Sequence, residues 1–492
     1  MINATNFNLI ERWQEVAERY PMRPAIHAEG QYFTYVELRC RASEIAGEIR
    51  SRCSENEKTI ALYTTDRFDT YAALWAIWAC GKTVVPLLPQ HPAERLQFIL
   101  NASEASLLLS TEPLDFPFLP TLFLASFSGT ADFSLTPTPS DQPAYLLFTS
   151  GSTGQPKGVP VLWRNVNAFT EKMVEDRLYA FASQDRFLQM FDLTFDLAFF
   201  GINTAWSVGA CLCVVPQQGI KSLNVIQTLE EQQITVALMP PSVLAFLQNY
   251  FDEIELPHLR YSLFCGEALI EHLLIGWKRC IPFAQIENVY GPTEATIFCS
   301  RYRWQSGISE SLNGIVSIGK PMEGMTFTLD NLDEATGVGE LILSGDQLTT
   351  GYHRNEAKTA EQFFTKDGTL HYRTGDLVSV SETGNYLFHG RKDQQVKIDG
   401  YRVELGEIEH HLRTFCQTDQ AVVVTQANSA GTVSLHAFLV GYSGDLKTLR
   451  RYLTEQLPSY MQPTSITPLD AFPLNDNGKI DRKRLASPAV PV

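Results

Sequence analysis

The sequence of 492 residues lacks an apolar run that is long enough to cross a membrane. Its most apolar stretches, Ala72–Leu88 and Gly201–Val215, fall short of the roughly 18 to 20 residues that a membrane helix needs. The N-terminal residues also lack a basic region followed by an apolar run, which a signal peptide requires. These absences predict a cytoplasmic protein with no membrane partner.

Positive charge is scarce, because 39 lysines and arginines stand against 55 aspartates and glutamates, for a net charge of −16. Nucleic acids and anionic membranes are bound by basic surfaces, so the composition argues against both as partners. The nine cysteines form no CxxC pair and no metal-ligand spacing. They predict free thiols in a reducing cytosol rather than a disulfide framework or a zinc site.

Short apolar runs alternate with helical patterns over the first two-thirds of the chain. Thr34 and Glu37 form a capping-box pattern at the start of one such helix. Eight runs are predicted as strands: Thr59–Tyr63, Thr83–Leu87, Ala144–Phe148, Arg186–Met190, Cys211–Val215, Thr235–Met239, Tyr261–Cys265 and Gln285–Tyr290. Strands separated by helices predict layered α/β sheets that are largely parallel.

The pattern changes after about residue 319, where strands and turns follow each other without helices. The predicted strands there are Thr326–Asp330, Gly339–Ser344 and Asn385–His389, which indicate a β-rich, barrel-like subdomain. A polar break at Gly390–Asp393 precedes a β-β-α-β-β-α-β pattern. We therefore predict an α/β fold with a large core of residues 1–392 and a small, mobile α+β lid domain of residues 393–492.

The most informative motif is a strand that runs into a loop of glycines and hydroxyl residues closed by a lysine. The loop consists of Thr149, Ser150, Gly151, Ser152, Thr153 and Gly154, and Lys157 closes it. Inward backbone N–H groups, hydroxyl donors and a positive charge are what a polyphosphate needs. The glycine spacing differs from the Walker A pattern. The motif predicts a phosphate site, and the alternative is a flexible surface loop.

Six further motifs follow this loop: Phe195-Asp196, Asn288–Glu294, Gly339–Leu341, Tyr372–Asp376, Gly390–Glu409 and Asn477–Arg482. In this order they resemble the adenylate-forming superfamily of acyl-CoA synthetases, luciferases and the adenylation domains of nonribosomal peptide synthesis. The resemblance covers nearly the whole chain. It implies that the protein uses ATP to activate a carboxylate as an acyl-AMP, releases pyrophosphate and passes the acyl group to a thiol.

The resemblance also assigns roles to single residues. Tyr290 resembles the residue that stacks on adenine, and Glu294 the carboxylate that holds Mg²⁺ on the phosphates. Asp376 resembles the acceptor of the ribose hydroxyl groups, and Arg391 the arginine near the ribose and phosphates. The implied ATP site further includes Gly291 and Thr293.

Two residues in the last hundred positions are implied to control the chemistry. Lys479 resembles the catalytic lysine that bridges the substrate carboxylate and the α-phosphate, although a lone lysine there would be read as solvated surface. Asp393 resembles the hinge between the two domains. Rotation there would exchange the Lys479 face for the Lys397–Glu409 face, so that one site serves adenylation and thioester formation in turn. Asp399 stands where many relatives carry a basic residue.

Asp196 indicates that the carboxylic acid substrate is an amino acid. In the amino-acid-activating relatives, the aspartate that pairs with the substrate ammonium group stands at this position. A buried carboxylate is costly unless it is paired. The alternative is a helix N-cap, since a helical pattern follows. The rest of the pocket carried over from the family is apolar: Leu197, Phe200, Leu238, Leu263, Cys265, Val289, Ile297 and Phe298. The pocket predicts a small apolar substrate.

The sequence resembles two subfamilies that imply different small substrates. The segments Leu263–Leu269 and Gly291–Thr296 resemble the D-alanine–carrier-protein ligases of teichoic acid D-alanylation. The segment Met190–Asp196 resembles the proline-activating ligases of secondary-metabolite biosynthesis, and the bulky apolar pocket with Phe200 favours the flat ring of L-proline. An acyl- or aryl-CoA ligase is the alternative that would not need Asp196.

A carrier-protein serine motif and a condensation motif are both missing from the sequence. This predicts a stand-alone enzyme that loads the phosphopantetheine thiol of a separate carrier protein in trans. A second class of hypothesis is a non-catalytic binding protein that kept the fold. The intact set of expected catalytic and nucleotide-binding residues argues against it: Lys157, Glu294, Asp376, Arg391 and Lys479.

Overall fold

The computed structural model describes residues 7–65, 67–114, 119–126, 133–151, 155–175, 179–393, 395–427, 433–474 and 480–487. The helices within these ranges are α1 (Leu9–Arg19), α2 (Tyr35–Arg52), α3 (Phe68–Ala79), α4 (Ala93–Ser103), α5 (Trp163–Glu175), α6 (Leu197–Val208), α7 (Lys221–Glu231), α8 (Pro241–Leu247), α9 (Glu271–Cys280), α10 (Glu356–Gln362), α11 (Leu405–Cys416), α12 (Leu446–Gln456) and α13 (Arg482–Leu485). Short 3₁₀ turns form at Leu124–Ser126, Gln248–Tyr250, Thr293–Ala295 and Ser459–Met461.

The first fourteen strands are β1 (Pro24–Ala28), β2 (Gln31–Thr34), β3 (Thr59–Tyr63), β4 (Thr83–Leu87), β5 (Leu107–Ser110), β6 (Thr121–Phe123), β7 (Pro143–Thr149), β8 (Lys157–Leu162), β9 (Arg186–Gln189), β10 (Cys211–Val214), β11 (Val236–Met239), β12 (Tyr261–Phe264), β13 (Gln285–Tyr290) and β14 (Ser300–Trp304). The later ones are β15 (Ser311–Leu312), β16 (Ile315–Val316), β17 (Lys320–Pro321), β18 (Met325–Asp333), β19 (Val338–Gly345), β20 (Phe363–Lys366), β21 (Thr369–Val380), β22 (Tyr386–Arg391), β23 (Gln395–Ile398), β24 (Tyr401–Glu404), β25 (Ala421–Ala427), β26 (Val433–Val440) and β27 (Ser465–Leu469).

Two large sheets carry the first two-thirds of the chain. One has the strand order β6-β5-β3-β4-β7-β8, and the other has the order β17-β14-β13-β12-β11-β9-β10-β1-β2. Neighbouring strands are parallel except at the edges, where β8 pairs antiparallel with β7, β14 with β13, β17 with β14, and β2 with β1. All eight predicted strands form, and the predicted α/β fold class is confirmed.

The first sheet is buried on both faces, which explains its continuously apolar strands. In β3, Ile60 and Leu62 belong to the main hydrophobic core, whereas Ala61 and Tyr63 belong to a second cluster beneath α4. This division follows from the two-residue alternation of side chains along a strand. The capping box of Thr34 and Glu37 opens α2 as predicted, and α2 packs against α3 within the main core.

Four tryptophans meet in the main core. The ring of Trp13 lies 4.8 Å from that of Trp206 and 5.7 Å from that of Trp75, while the ring of Trp78 lies 5.5 Å from that of Trp13. All four are buried. They join α1, α3 and α6, and therefore tie the N-terminal helices to the helix that follows Asp196.

The β-rich segment forms a five-stranded antiparallel sheet in which β18, β19, β21 and β20 lie in that order and β22 pairs with β21. Beyond it, the order β23-β24-α11-β25-β26-α12-β27 confirms the predicted β-β-α-β-β-α-β pattern. This last segment has a hydrophobic core of its own, formed by side chains between Ile398 and Ile466. The separate core supports the predicted boundary at residue 393, which stays a prediction.

All nine cysteines carry free thiols, as predicted. None of the helices in the described ranges combines the length and the apolar character that crossing a bilayer requires.

Candidate active site

The phosphate loop is closed by strand pairing. Thr149, the last residue of β7, lies opposite Lys157, the first residue of β8, so the two ends of the loop meet. Gly151 cannot be replaced by a larger residue without a clash, because a Cβ there would collide with the carbonyl oxygen of Gln155. Ser152, Thr153 and Gly154 were predicted to belong to this loop and lie outside the described residues.

Lys157 and Glu294 come together at the mouth of this loop. The Nζ atom of Lys157 lies 4.0 Å from Oε1 of Glu294 and 4.8 Å from the centre of the Tyr352 ring. Burial lowers the pKa of Lys157 to about 8, and the neighbouring Arg402 adds to this effect. Lys157 therefore keeps its positive charge at neutral pH but lies close to losing it.

Glu294 is fully buried in the 3₁₀ turn that follows β13, although a lone glutamate is usually a surface residue. Tyr352 donates a hydrogen bond to its Oε1 at 2.7 Å, and Nη1 of Arg402 contacts both carboxylate oxygens at 2.9 and 3.0 Å. Burial opposes ionisation, but the charges of Arg402 and Lys157 outweigh it and lower the pKa of Glu294 to about 2. The carboxylate is therefore ionised at any physiological pH.

The residues expected at adenine and ribose line one cleft of about 500 Å³. The hydroxyl of Tyr290 donates to Oδ2 of Asp376 at 2.5 Å, and Arg391 contacts Oδ1 of the same carboxylate at 2.6 Å. The pairing of β21 with β22 places Asp376 directly opposite Arg391. Arg391 also binds Asp393, the expected hinge residue, at 2.7 Å. The sequence-predicted nucleotide residues are thus neighbours in space.

Asp196 lies next to this cleft and is buried. It precedes α6, but its side chain makes no capping hydrogen bond to that helix; instead Oδ2 accepts the backbone N–H of Ile297 at 3.3 Å. Burial raises the pKa of Asp196 to about 7, although the Thr293 side chain partly opposes this shift. The interpretation of Asp196 as a capping side chain is therefore wrong.

The apolar residues predicted for the pocket are all buried: Leu197, Phe200, Leu238, Leu263, Cys265, Val289, Ile297 and Phe298. Leu197 and Cys265 line the cavity of about 40 Å³ in front of Asp196, together with Tyr290, Gly291 and Thr293. The rings of Phe200 and Phe298 lie 5.7 Å apart and are buried, but they do not belong to the lining of this cavity.

One element of the pocket was missed from the sequence. Thr296 and Ile297 have φ angles of +57° and +69°, which are strained for β-branched residues. Gln347, which is buried, holds this turn: its Nε2 donates to the carbonyls of Ala295, Thr296 and Phe298 at 3.2, 3.2 and 2.8 Å. The strained turn aims the Ile297 N–H at Asp196, and no local sequence signal marks Gln347 as its support.

The hairpin of β23 and β24 closes the site from the other side. Its tip, Asp399-Gly400, has φ angles of +50° and +84°, and the Gly400 N–H donates to Oε1 of Glu267 at 2.8 Å. The next residue, Tyr401, donates to Oδ2 of Asp192 at 2.6 Å and stacks on Tyr460 at 4.0 Å. The hairpin therefore docks against the large core through both its backbone and its side chains.

A cavity of about 610 Å³ runs beside this hairpin, between its tip and the start of α8. Phe195 lines both this cavity and the small cavity at Asp196. Two neighbouring residues of the hairpin line one cavity each: Tyr401 lines the larger cavity, and Gly400 lines the smaller one. The two spaces therefore adjoin at the hairpin tip. No sequence pattern indicated this second space, because its lining residues come from distant segments.

Of the two faces expected to alternate at the site, the structure presents the one from Lys397 to Glu409. Lys397 places its Nζ atom 5.9 Å from the centre of the Tyr290 ring. Lys479 lies outside the described residues. Arg482, three positions further along the chain, binds Oε1 of Glu409 at 2.7 Å and so attaches α13 to α11.

Comparison with known proteins agrees with this geometry. The family model described as AMP-binding enzyme matches residues 13–353. Zwittermicin A synthase ZmaJ of Bacillus cereus is 32% identical, over 96% of this chain and 94% of that protein. A linear gramicidin synthase polypeptide of Brevibacillus parabrevis is 33% identical over 97% of this chain, which spans only 9% of that protein's length.

Solved structures share the whole architecture. The adenylation domain AlmE of Vibrio cholerae, in complex with glycyl-adenosine-5'-phosphate, superposes with a TM-score of 0.85 at 26% identity, over 99% of this chain and 98% of that one. PA1221, which contains adenylation and PCP domains and is bound to a vinylsulfonamide inhibitor, gives a TM-score of 0.84 at 26% identity, over 97% of this chain and 84% of that one.

Proposed function

Since the chain belongs to the AMP-binding enzyme family and is an adenylate-forming ligase, we propose that its substrate is a small apolar amino acid, which it loads onto a carrier-protein thiol. The observation that carries this proposal is Asp196, a buried carboxylate beside the nucleotide cleft that forms no ion pair within the described residues. A substrate ammonium group is its natural partner, because a buried charge needs a counter-charge.

In the first step, a carboxylate oxygen of the amino acid forms a bond to the α-phosphorus of ATP, and the bond to the β-phosphate oxygen breaks. Two anions must approach each other, so the site must supply positive charge where negative charge develops. We assign Lys157 and the loop N–H groups to the β- and γ-phosphates. Tyr290 would contact the adenine and Asp376 the ribose hydroxyl groups. Lys479 would bridge the reacting groups.

A magnesium ion at this site would have one protein ligand, Glu294. Glu294 is one ionised carboxylate beside the phosphate loop, and no group of three or more metal-binding side chains occurs within the described ranges. Mg²⁺ is commonly held by one or two carboxylates together with substrate phosphates and water, so Glu294 would suffice. Bound there, the ion would neutralise charge on the phosphates.

In the second step, the thiol sulfur of phosphopantetheine forms a bond to the acyl carbon, and AMP leaves with the oxygen that joined them. The cavity of about 610 Å³ beside the hairpin supports this step, because it adjoins the space at Asp196 and would admit a narrow thiol-bearing arm. We propose that a separate carrier protein delivers the arm. The alignment with ZmaJ over 94% of its length provides a relative of similar size.

The small cavity at Asp196, of about 40 Å³, supports a small side chain, and L-proline is our first candidate. D-Alanine is the second, in line with the segment around Cys265 that resembles the D-alanine ligases. Glycine joins the comparison because AlmE was solved with glycyl-adenosine-5'-phosphate. All three present one ammonium group and little apolar surface, as the pocket requires.

ATP–pyrophosphate exchange with L-proline, D-alanine, L-alanine and glycine, beside a fatty and an aryl acid, tests the proposal. We expect exchange with at least one of the amino acids and none with the simple acids. Exchange restricted to a simple acid would contradict the proposal and favour an acyl- or aryl-CoA ligase. Transfer of the activated residue to an added holo-carrier protein, followed by mass spectrometry, tests the second step.

Activity should follow a bell-shaped pH profile that is set by two buried groups. Burial raises the pKa of Asp196 to about 7, so the carboxylate that attracts the ammonium group is lost below this pH. Burial lowers the pKa of Lys157 to about 8, so the charge that faces the phosphates is lost above it. We expect kcat/KM in the exchange assay to peak between these values and to fall about tenfold per pH unit on either side.

The variant Asp196→Asn tests whether titration of Asp196 causes the fall in activity on the acidic side of this profile. Its remaining activity should no longer fall below pH 7, while the alkaline limb should persist. An unchanged acidic limb would show that another group titrates there.

A further inference from the structure

One buried imidazole in the wall of the cavity of about 610 Å³ has a hydrogen-bonding capacity that the protein leaves unused. His91 lines this cavity and is only 8% exposed. Its Nδ1 atom is buried and has no hydrogen-bond partner within the described residues. A buried polar atom without a partner is unfavourable. In the wall of a cavity, such a group indicates a ligand that supplies the missing partner.

The backbone around His91 is stiff. The residue lies in a short turn after β4, in which its N–H donates to the carbonyl oxygen of Leu88 at 2.9 Å. Pro89 and Pro92 lie on either side of it, and a residue that precedes a proline is restricted to extended backbone. Pro92 is also the N-cap residue of α4. The imidazole is therefore presented to the cavity from a fixed position.

His91 is uncharged at physiological pH. Burial lowers its pKa to about 3, and the positive charge of Arg95 on α4 contributes to this shift. A neutral imidazole has one N–H donor and one acceptor nitrogen. An amide group also has one donor and one acceptor, whereas a phosphate or a carboxylate calls for a positive charge. The chemistry of the ring therefore favours an amide as its partner.

The other buried polar side chain in this wall, among the described residues, already has its partners. Asp192 accepts the hydroxyl of Tyr401 at 2.6 Å and Nε2 of Gln217 at 3.1 Å. The buried wall around these groups is apolar and includes Leu88, Met190 and Phe191. An occupant made of short apolar stretches and amide groups matches this pattern.

The thiol-bearing arm has this composition, because pantetheine consists of short hydrocarbon units joined by amide groups. We propose that His91 forms a hydrogen bond with an amide group of the pantetheine arm and thereby sets how far the thiol reaches toward the space at Asp196. The inference rests on the proposed function, which places the arm in this cavity. His91 then binds the acceptor of the transfer step and takes no part in making or breaking bonds.

Two thiols test this contact: pantetheine, and 1-propanethiol, which has no amide group. Thioester formation with each thiol, at saturating ATP and amino acid, is followed by mass spectrometry for the wild type, His91→Leu and His91→Gln. We expect His91→Leu to raise KM for pantetheine about fivefold, the effect of one lost hydrogen bond, with little change in kcat. Its use of 1-propanethiol should stay unchanged. His91→Gln, whose side chain is itself an amide, should recover most of the affinity for pantetheine.

His272→Leu is the matched control, because it removes an exposed histidine from α9. It should alter the use of neither thiol. A residue that only supports the fold would, when replaced, weaken the use of both thiols to the same extent. Equal losses with both thiols in His91→Leu would therefore overturn the inference. A normal KM for pantetheine in that variant, or a wild type that does not prefer pantetheine to 1-propanethiol, would overturn it as well.

Binding without turnover supplies a second measurement. In protein labelled with ¹³C at the histidine Cε1 atoms, the signal of His91 is the one that is missing from His91→Leu. S-Methylpantetheine, which cannot react, should shift this signal. A signal that stays in place at concentrations above the KM for pantetheine would contradict the contact. A wild type that catalyses no ATP–pyrophosphate exchange with any amino acid would instead overturn the proposed function, and the inference with it.

Discussion

Replacing Asp196 by alanine is expected to lower amino-acid-dependent ATP–pyrophosphate exchange by a factor on the order of 10² to 10³. The substrate ammonium group would enter a buried pocket without its counter-charge, and a buried charge left unpaired costs about 3–5 kcal/mol. Each 1.4 kcal/mol corresponds to about a factor of ten in rate. The loss should appear in kcat/KM for the amino acid, while the affinity for ATP stays close to that of the wild type.

Asp445→Ala is the matched control, because Asp445 is a helix N-cap, which was the alternative interpretation of Asp196. Its side chain accepts the N–H groups of Lys447 and Thr448 and caps α12. Its replacement should reduce stability by about 1 kcal/mol and leave exchange unchanged. If Asp196→Ala behaved like this control, with lower stability and normal exchange, the assignment of the ammonium partner would be wrong.

The second large effect is expected for Lys479→Ala, and it should separate the two half-reactions. Removing a positive charge from the transition state of adenylation should lower exchange by a factor on the order of 10² to 10³. Transfer of the acyl group from a purified aminoacyl-AMP to the holo-carrier protein should persist, because we assign that step to the Lys397–Glu409 face, which the structure presents at the site. Single-turnover assays measure the two steps separately.

Gly400→Val is the reciprocal variant. Gly400 has a φ angle of +84° at the hairpin tip, where a β-branched residue is strained. Its backbone N–H also binds Glu267, so strain there should disturb docking of the hairpin. We expect impaired transfer with nearly normal exchange. Equal losses in both assays for either variant would contradict a site that works with two alternating faces.

The parts of the fold that depend on short-range sequence patterns could be predicted from the sequence. The limits of β3, β4 and β13 agree with the predicted runs to the residue, and the order of elements from β23 to β27 was predicted, whereas the short helix α13 that follows was not. These segments are either uniformly apolar and short or bounded by clear turns. The capping box at Thr34 was equally visible, because its two partners lie three residues apart.

The site was predictable only as a set of residues. Motif order identified Asp196, Glu294 and Asp376, but it did not reveal that Arg402 would cover the carboxylate of Glu294, 108 residues away in the chain. The pair of Arg95 and Glu407 joins positions 312 residues apart. Such contacts depend on how the two hydrophobic cores are oriented, and no local pattern encodes this orientation.

The support of the strained turn was missed for the same reason. Gln347 lies in a loop between β19 and α10, and its local sequence is that of an ordinary polar connection. Its importance arises only because the fold places it under Thr296 and Ile297. Strained backbone of this kind is held by tertiary contacts and is a common property of binding sites.

The tryptophan cluster has a consequence for how the protein can be observed. All seven tryptophans precede residue 305, so the segment after the proposed hinge contributes no indole emission. Fluorescence excited at the indole band therefore reports on the large core alone, whereas heat capacity reports on the entire chain. Two unfolding curves that coincide would mean a single cooperative unit, and two that differ would reveal a lid that melts by itself. A single tryptophan introduced after residue 393 would report on the predicted lid, since that segment has no tryptophan of its own.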